Sequence, residues 1–184
     1  MAAGFKLYGH MFGCQAPMTQ DLLIMGSEVI TLGDAVDMDT LGCVKPADDT
    51  DYVYGIVVGL VGPDGTPLSK LPDGDVDGTR TGNAGQYGSE TYTAASDNTT
   101  DKKIKARVIA DPFALFMNDT AGSIAQADVG QFFDLLDEDQ LKDQDGHLTA
   151  GAFQLVKLDP DGDADASKGL FRIAEWQGFN YAQR

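Results

Sequence analysis

Asp73-Gly74-Asp75-Val76-Asp77-Gly78 is the stretch whose residue types and spacing come nearest to chemistry. Alternating carboxylates at Asp73, Asp75 and Asp77 can converge on one hard cation, and the glycine that follows permits the sharp turn of a calcium loop. Only the first half matches, because a full EF-hand loop ends in a bidentate acid and that position is Ala84. Asp159, Asp161, Asp163 and Asp165 repeat the alternation with the glycine displaced to Gly162. Calcium at Asp73, Asp75 and Asp77 is therefore the metal expectation, weighed against plain solvated acidic turns. His10, His147, Cys14 and Cys43 are the only histidines and cysteines, and they stand at no close zinc spacing. The chain carries no G-x-S-x-G elbow, P-loop, H-E-x-x-H or Rossmann glycine fingerprint. Carboxylate pairs for a glycosidase can be drawn from 29 acids almost at will, so they discriminate nothing. The expectation is a protein that is not an enzyme and whose one candidate cofactor is calcium.

Charge sorts the partners. With 29 acidic against 13 basic residues the net charge is −16, which repels phosphate backbones and anionic lipid alike. Neither nucleic acid nor membrane is an expected partner. Self-repulsion that keeps the chain soluble, a partner with a basic face, divalent cations and a high-salt habitat all fit such a surface. Two cysteines are too few for a disulfide framework, and no stretch has the form of an export signal or a membrane span.

The elements that would position any site read as strands. Twenty-two glycines, with Asp, Asn and Thr between short apolar runs, point to many tight turns and an all-β chain of one domain. Lys103, Lys105 and Arg107 alternate with Ile104, Ala106 and Val108, the period of a strand with one wet face. Asp111-Pro112 must leave that ladder, since proline donates no N–H. Phe113 to Met117 is a second apolar run, and a turn and the small-residue crossover Ser123 to Gly130 lead to a third, Phe132 to Leu136. Tyr52 to Val61 is the most β-like segment, with Gly55 and Gly59 expected at bulges or close backbone approaches. Glu28 to Leu32, Ala152 to Leu158 and Leu170 to Trp176 complete the strands, the last two as a hairpin. Residues 63–101 are rich in Gly, Asp, Thr and Pro and are expected as an acidic loop or hairpin inserted on the outer face.

The first 26 residues are apolar for a terminus, while Gly4, Gly9, Gly13 and Pro17 deny them a helix. They form either a first strand covering the domain's own core or an arm laid on a neighbour, and residues 27–184 form the single β domain.

A strand ending in Asp111-Pro112, an apolar run, the Ala125-Gln126-Ala127-Asp128-Val129-Gly130 crossover and the late Gly169-Leu170-Phe171-Arg172-Ile173 strand resemble the small β-rich capsid decoration (cement) proteins of tailed viruses. Glu28 to Leu32 and Tyr54 to Leu60 resemble the early strands of that family; the acidic stretch from Pro63 to Asp101 does not. The resemblance implies a small barrel or β-sandwich-like domain of the β-tulip type. It implies a trimer on the outer surface of the virion, bridging neighbouring major capsid subunits. Contact candidates are Phe5, Leu7, Tyr8, Met11 and Phe12 near the start and Trp176, Phe179 and Tyr181 near the end, because aromatics and methionine dominate interface energetics. A calcium-binding secreted or surface β-module, a hydrolase on a β-scaffold, and a neck or tail component of the virion are the alternatives.

Overall fold

The computed structural model describes residues 4–13, 15–49, 52–68, 78–82, 87–101, 104–142, 151–158 and 166–174. The chain is all-β, in antiparallel sheets, with one short helix among the described residues, α1 (Asn98–Asp101), and a 3-10 turn at Gln126–Asp128. The first sheet has the order β1 (Lys6–His10), β10 (Ala114–Asp119), β15 (Lys168–Ile173), β14 (Phe153–Leu158), β11 (Phe132–Phe133). The second runs β2 (Thr19–Leu23), β9 (Lys105–Ile109), β6 (Gly55–Val61), β4 (Ala35–Met38), β5 (Val44–Pro46). A third sheet holds β3 (Val29–Thr31), β8 (Thr91–Ala94) and β7 (Gly78–Thr81), and β12 (Leu135–Asp137) pairs with β13 (Gln140–Leu141) as a ribbon.

The second sheet lies between two cores. Ala35, Ile56 and Ile109 join Phe5, Phe116, Phe153 and Phe171 of the first sheet and its approach. Their chain neighbours Val36, Val57 and Val108 point the other way, into a core with Ile30, Tyr92 and Ala94 of the third sheet. That two-sided burial is why β6 reads as a continuous apolar run instead of an alternating one. Where β9 leaves the first core, its wet face pairs across to β2: Arg107 donates to both Asp21 carboxylate oxygens at 2.8 and 3.0 Å. This is the polar half of the Lys103–Val108 alternation.

The glycines of β6 sort as expected. Residues Val57 to Gly59 carry a register shift against β9, and a Cβ on Gly59 would meet only Arg107 Cβ, 3.7 Å away. A Cβ on Gly55 would lie 2.5 Å from the Ile109 carbonyl oxygen and against the Val108 side chain. Gly55→Ala is therefore expected to cost about 2–3 kcal/mol, whereas Gly59→Ala is neutral or stabilising by about 0.5 kcal/mol. Chemical denaturation of the two variants checks this; equal effects would remove the distinction between close approach and bulge.

Three expectations need correcting. No sheet among the described residues closes into a barrel: one parallel bridge, Ile24 to Val44, brings the second sheet's edges together, and closure stops there. The 63–101 segment does carry a hairpin, β7–β8, but it is not simply appended to the outside, since β8 also pairs with β3 and buries Tyr92 in the core. Phe5 is 0 % exposed, stacked on Phe153 at 4.4 Å and edge-on to Phe116 at 6.5 Å. It belongs to the chain's own core, with no face left for a neighbour. No helix among the described residues is long and apolar enough to cross a membrane.

Candidate functional site

The other four contact candidates of the N-terminal stretch, Leu7, Tyr8, Met11 and Phe12, stay exposed along β1 and the turn after it. β1 is an edge strand with a register shift between Leu7 and Gly9 against β10, so Tyr8 is the extra residue of a bulge. Leu7 and Tyr8 are both exposed as a result, although Leu7 is registered opposite fully buried Phe116. Beyond β1 the chain turns through Met11, Phe12 and Gly13 before β2, and Phe12 (61 % exposed) and Met18 (66 % exposed) stand almost free in water. Several solvated side chains of this size within one short stretch mark a candidate contact surface.

Beneath them lies a buried polar pair. His10 and Asp111 approach at 3.3 Å between Nε2 and Oδ2, with side chains only 4 % and 7 % exposed. The Phe12 N–H donates to His10 Nδ1 at 3.2 Å, which leaves the ring proton on Nε2, directed at Asp111. Asp111 Oδ2 also accepts from the Met18 N–H at 3.2 Å, and Oδ1 accepts from the Phe113 N–H at 2.9 Å. The last bond is the Asx turn that the Asp111-Pro112 corner leads one to expect. Over this pair the Phe12 and Phe113 rings lie 4.9 Å apart, each within contact range of the His10 imidazole. The Met11 N–H donates to the Phe113 carbonyl at 2.9 Å. Together the two side chains fix the backbone at Phe12, Met18 and Phe113.

A second electrostatic feature holds the start of β1. Gly4 N–H donates to the Asp139 carbonyl at 3.2 Å and Phe5 N–H to the Gly33 carbonyl at 2.9 Å. The Gly33–Asp34 turn has φ +99° at Gly33, and a Cβ there would lie 3.1 Å from the passing Phe5 nitrogen, so glycine is required. Asp34 is buried, its Oδ2 accepting from the Thr31 N–H at 2.6 Å, and Ala35 N–H donates to the Glu138 carbonyl at 2.6 Å. Burial, reinforced by the charges of Glu138, Asp139 and Asp137, pushes the Asp34 carboxyl up to about 8. Burial and a hydrogen bond with Asp137 raise Asp139 to about 6. Among the described residues no group of three or more His, Cys, Asp or Glu is placed to hold a metal.

Asp73, Asp75 and Asp77, the Asp159 to Asp165 turn, Trp176, Phe179, Tyr181, Cys14 and His147 lie outside the described residues. Cys43 is a buried free thiol, its ionisation pushed up first by burial and then by Asp39. The His10–Asp111 pair escaped the sequence, which offered His10 only as a distant zinc candidate. The partners are 101 positions apart in the numbering, and only the β1–β10 pairing brings them together.

Compared with known protein families, with curated proteins and with solved structures, the chain matches none.

Proposed function

We propose that this chain is a structural protein of a tailed virus, decorating the capsid and stabilising it by bridging neighbouring major capsid subunits. The observation that carries this reading is the row of solvated apolar side chains Leu7, Tyr8, Met11 and Phe12, a tip displayed on an edge strand and the turn that follows it in an otherwise strongly acidic chain. Burying one such side chain against a neighbour contributes about 1.5–3 kcal/mol, so a few suffice for a firm contact when many copies act together. The mechanism is burial, with neither catalysis nor a cofactor: separating bridged subunits would re-expose the tip. Within this reading the two five-stranded sheets are layers of a β-sandwich-like, β-tulip type of domain. Trimers would place several tips over one junction between capsomers, on the outer surface of the virion.

The experiment is to mix the purified chain with undecorated capsids and locate it by electron microscopy. Full-length parent protein is expected at the capsomer junctions. Phe12→Asp, at an exposed position, is expected to melt with the parent and to bind at least about thirtyfold more weakly. Density at the neck or tail would move the role to that joint. Absence of binding, or a Phe12→Asp variant that binds as well as the parent, would overturn the reading.

A further inference from the structure

The three backbone N–H groups that the buried pair captures are those of Phe12, Met18 and Phe113. Phe12 and Met18 are the most exposed large apolar side chains of this stretch, and Phe113 is the ring on which Phe12 rests. A loose apolar loop would lose rotameric and backbone freedom on docking, at a cost of roughly 1–2 kcal/mol per ordered residue. Here that freedom is already spent on folding, at the cost of burying two polar side chains.

The charge of the chain narrows the partner of the tip. Residues 1–20 contain no Asp or Glu and include Lys6, whereas all 29 acids follow from Asp21 onward. An apolar tip whose one neighbouring acid, Asp111, is buried beneath it, on a body of net charge −16, complements an apolar crevice whose rim is basic. A second copy of this chain is the poorer occupant of the tip, because a chain with 29 acidic against 13 basic residues has no excess of basic side chains to form such a rim.

We infer that His10 and Asp111 are positioning residues that preset Phe12 and Met18, with Phe113 beneath, for an apolar crevice with a basic rim on a different protein. The inference deepens the capsid reading and rests on it for the identity of that protein. The pair acts through the backbone it holds and touches the partner only through Phe12, Phe113 and Met18.

Amide exchange read by NMR, together with binding to undecorated capsids, tests this on the full chain. In Asp111→Ala the amides of Phe12, Met18 and Phe113 are expected to exchange about tenfold faster or more, while those of Val57 and Val108 in the central sheet hold. Capsid affinity should fall about tenfold with every tip side chain still present. Should Asp111→Ala fail to fold, Asp111→Asn keeps the volume and one acceptor but turns a donor toward Met18 and His10, and it should loosen Met18 and Phe12 in the same way. Parent affinity should also weaken about tenfold between about 0.05 and 0.5 M salt. Unchanged exchange at the three amides overturns the positioning role, as does a loosened tip that binds undiminished, and affinity that rises with salt overturns the basic rim. If the parent itself ignores capsids, the capsid reading fails, and the exchange rates alone still decide whether the pair presets the tip.

Discussion

At about pH 9 the Asp34→Asn variant is expected to be more stable than the parent by roughly 3 kcal/mol, and at about pH 5 the two agree within about 1 kcal/mol. Asp34 is 2 % exposed, and the charges acting on it, from Glu138, Asp139 and Asp137, are all negative. Burial is the largest influence and outweighs the Thr31 N–H, which favours the anion, so the carboxyl moves from its ordinary 3.8 to about 8. Below the ordinary value both folded and unfolded chains hold the proton, and the native contribution is complete. Between the two values the unfolded chain has released the proton and the folded chain has not, so stability falls by about 1.4 kcal/mol for each pH unit. Above about 8 the folded chain has ionised as well and the loss is complete. Over roughly four pH units the limiting loss is about 6 kcal/mol, and admission of water at the Gly33–Asp34 turn reduces it to about half. Asparagine keeps an oxygen for the Thr31 N–H and cannot ionise, so its profile loses this slope. Asp139, raised to about 6, contributes a smaller loss of the same sign that both proteins share. Denaturation midpoints at three pH values decide the matter, and parallel profiles for the two proteins would sink the assignment.

Much of the scaffold was legible because its strands follow local rules. From Lys105 onward the Lys103–Val108 alternation is β9, wet face included, and the Ala152–Leu158 and Leu170–Trp176 runs fall, as far as the described residues reach, in the paired strands β14 and β15, which begin at Phe153 and Lys168 and end at Leu158 and Ile173. Boundaries moved where a neighbour decided them: Tyr52 to Tyr54 fall outside β6, and the Phe132–Leu136 run splits at Asp134 into β11 and β12, which belong to different sheets. What could not be read was which apolar residues of the N-terminal stretch face inward. Phe5 and Phe12 are the same residue type within one glycine-broken segment, yet one is 0 % and the other 61 % exposed. The difference comes from the β1 bulge and the Gly33 turn beneath Phe5, contacts made with chain far away in sequence. The acidic junction was hidden for the same reason: Asp34 and Glu138 look like ordinary turn acids until folding brings their turns together.

Asn98 lies in the stretch expected to be an outer insertion, and its replacement is expected to be among the most damaging single changes in the chain. The side chain is 0 % exposed, and its amide group makes three bonds: Nδ2 to the carbonyls of Ile24 and Ile104, and Oδ1 from the Ile104 N–H at 2.7 Å. Ile24 N–H donates to the same Ile104 carbonyl at 3.2 Å, so the amide serves as an extra rung where β2 and β9 would otherwise splay apart. Asn98→Ala leaves an N–H and a carbonyl without partners in a closed site, at about 1–3 kcal/mol each, for a loss of about 3–4 kcal/mol and a drop of about 10 °C in Tm. Asn98→Asp preserves shape and presents oxygen to two carbonyl oxygens, so it should be at least as costly at neutral pH and partly relieved on acidification, when the new carboxyl gains a proton to donate. Neighbouring Thr99 gives the scale, since Thr99→Ala removes a single acceptor from the Gly26 N–H and should cost only about 1 kcal/mol. If Asn98→Asp melts with the parent at neutral pH, the side chain fills space and does not complete a ladder. The effect also reaches the second sheet's edges, because Ile24 is the residue that bridges to Val44. Weakening the Asn98 rung should therefore speed exchange at the Met25 amide, which donates to Val44, before it affects amides of the first sheet.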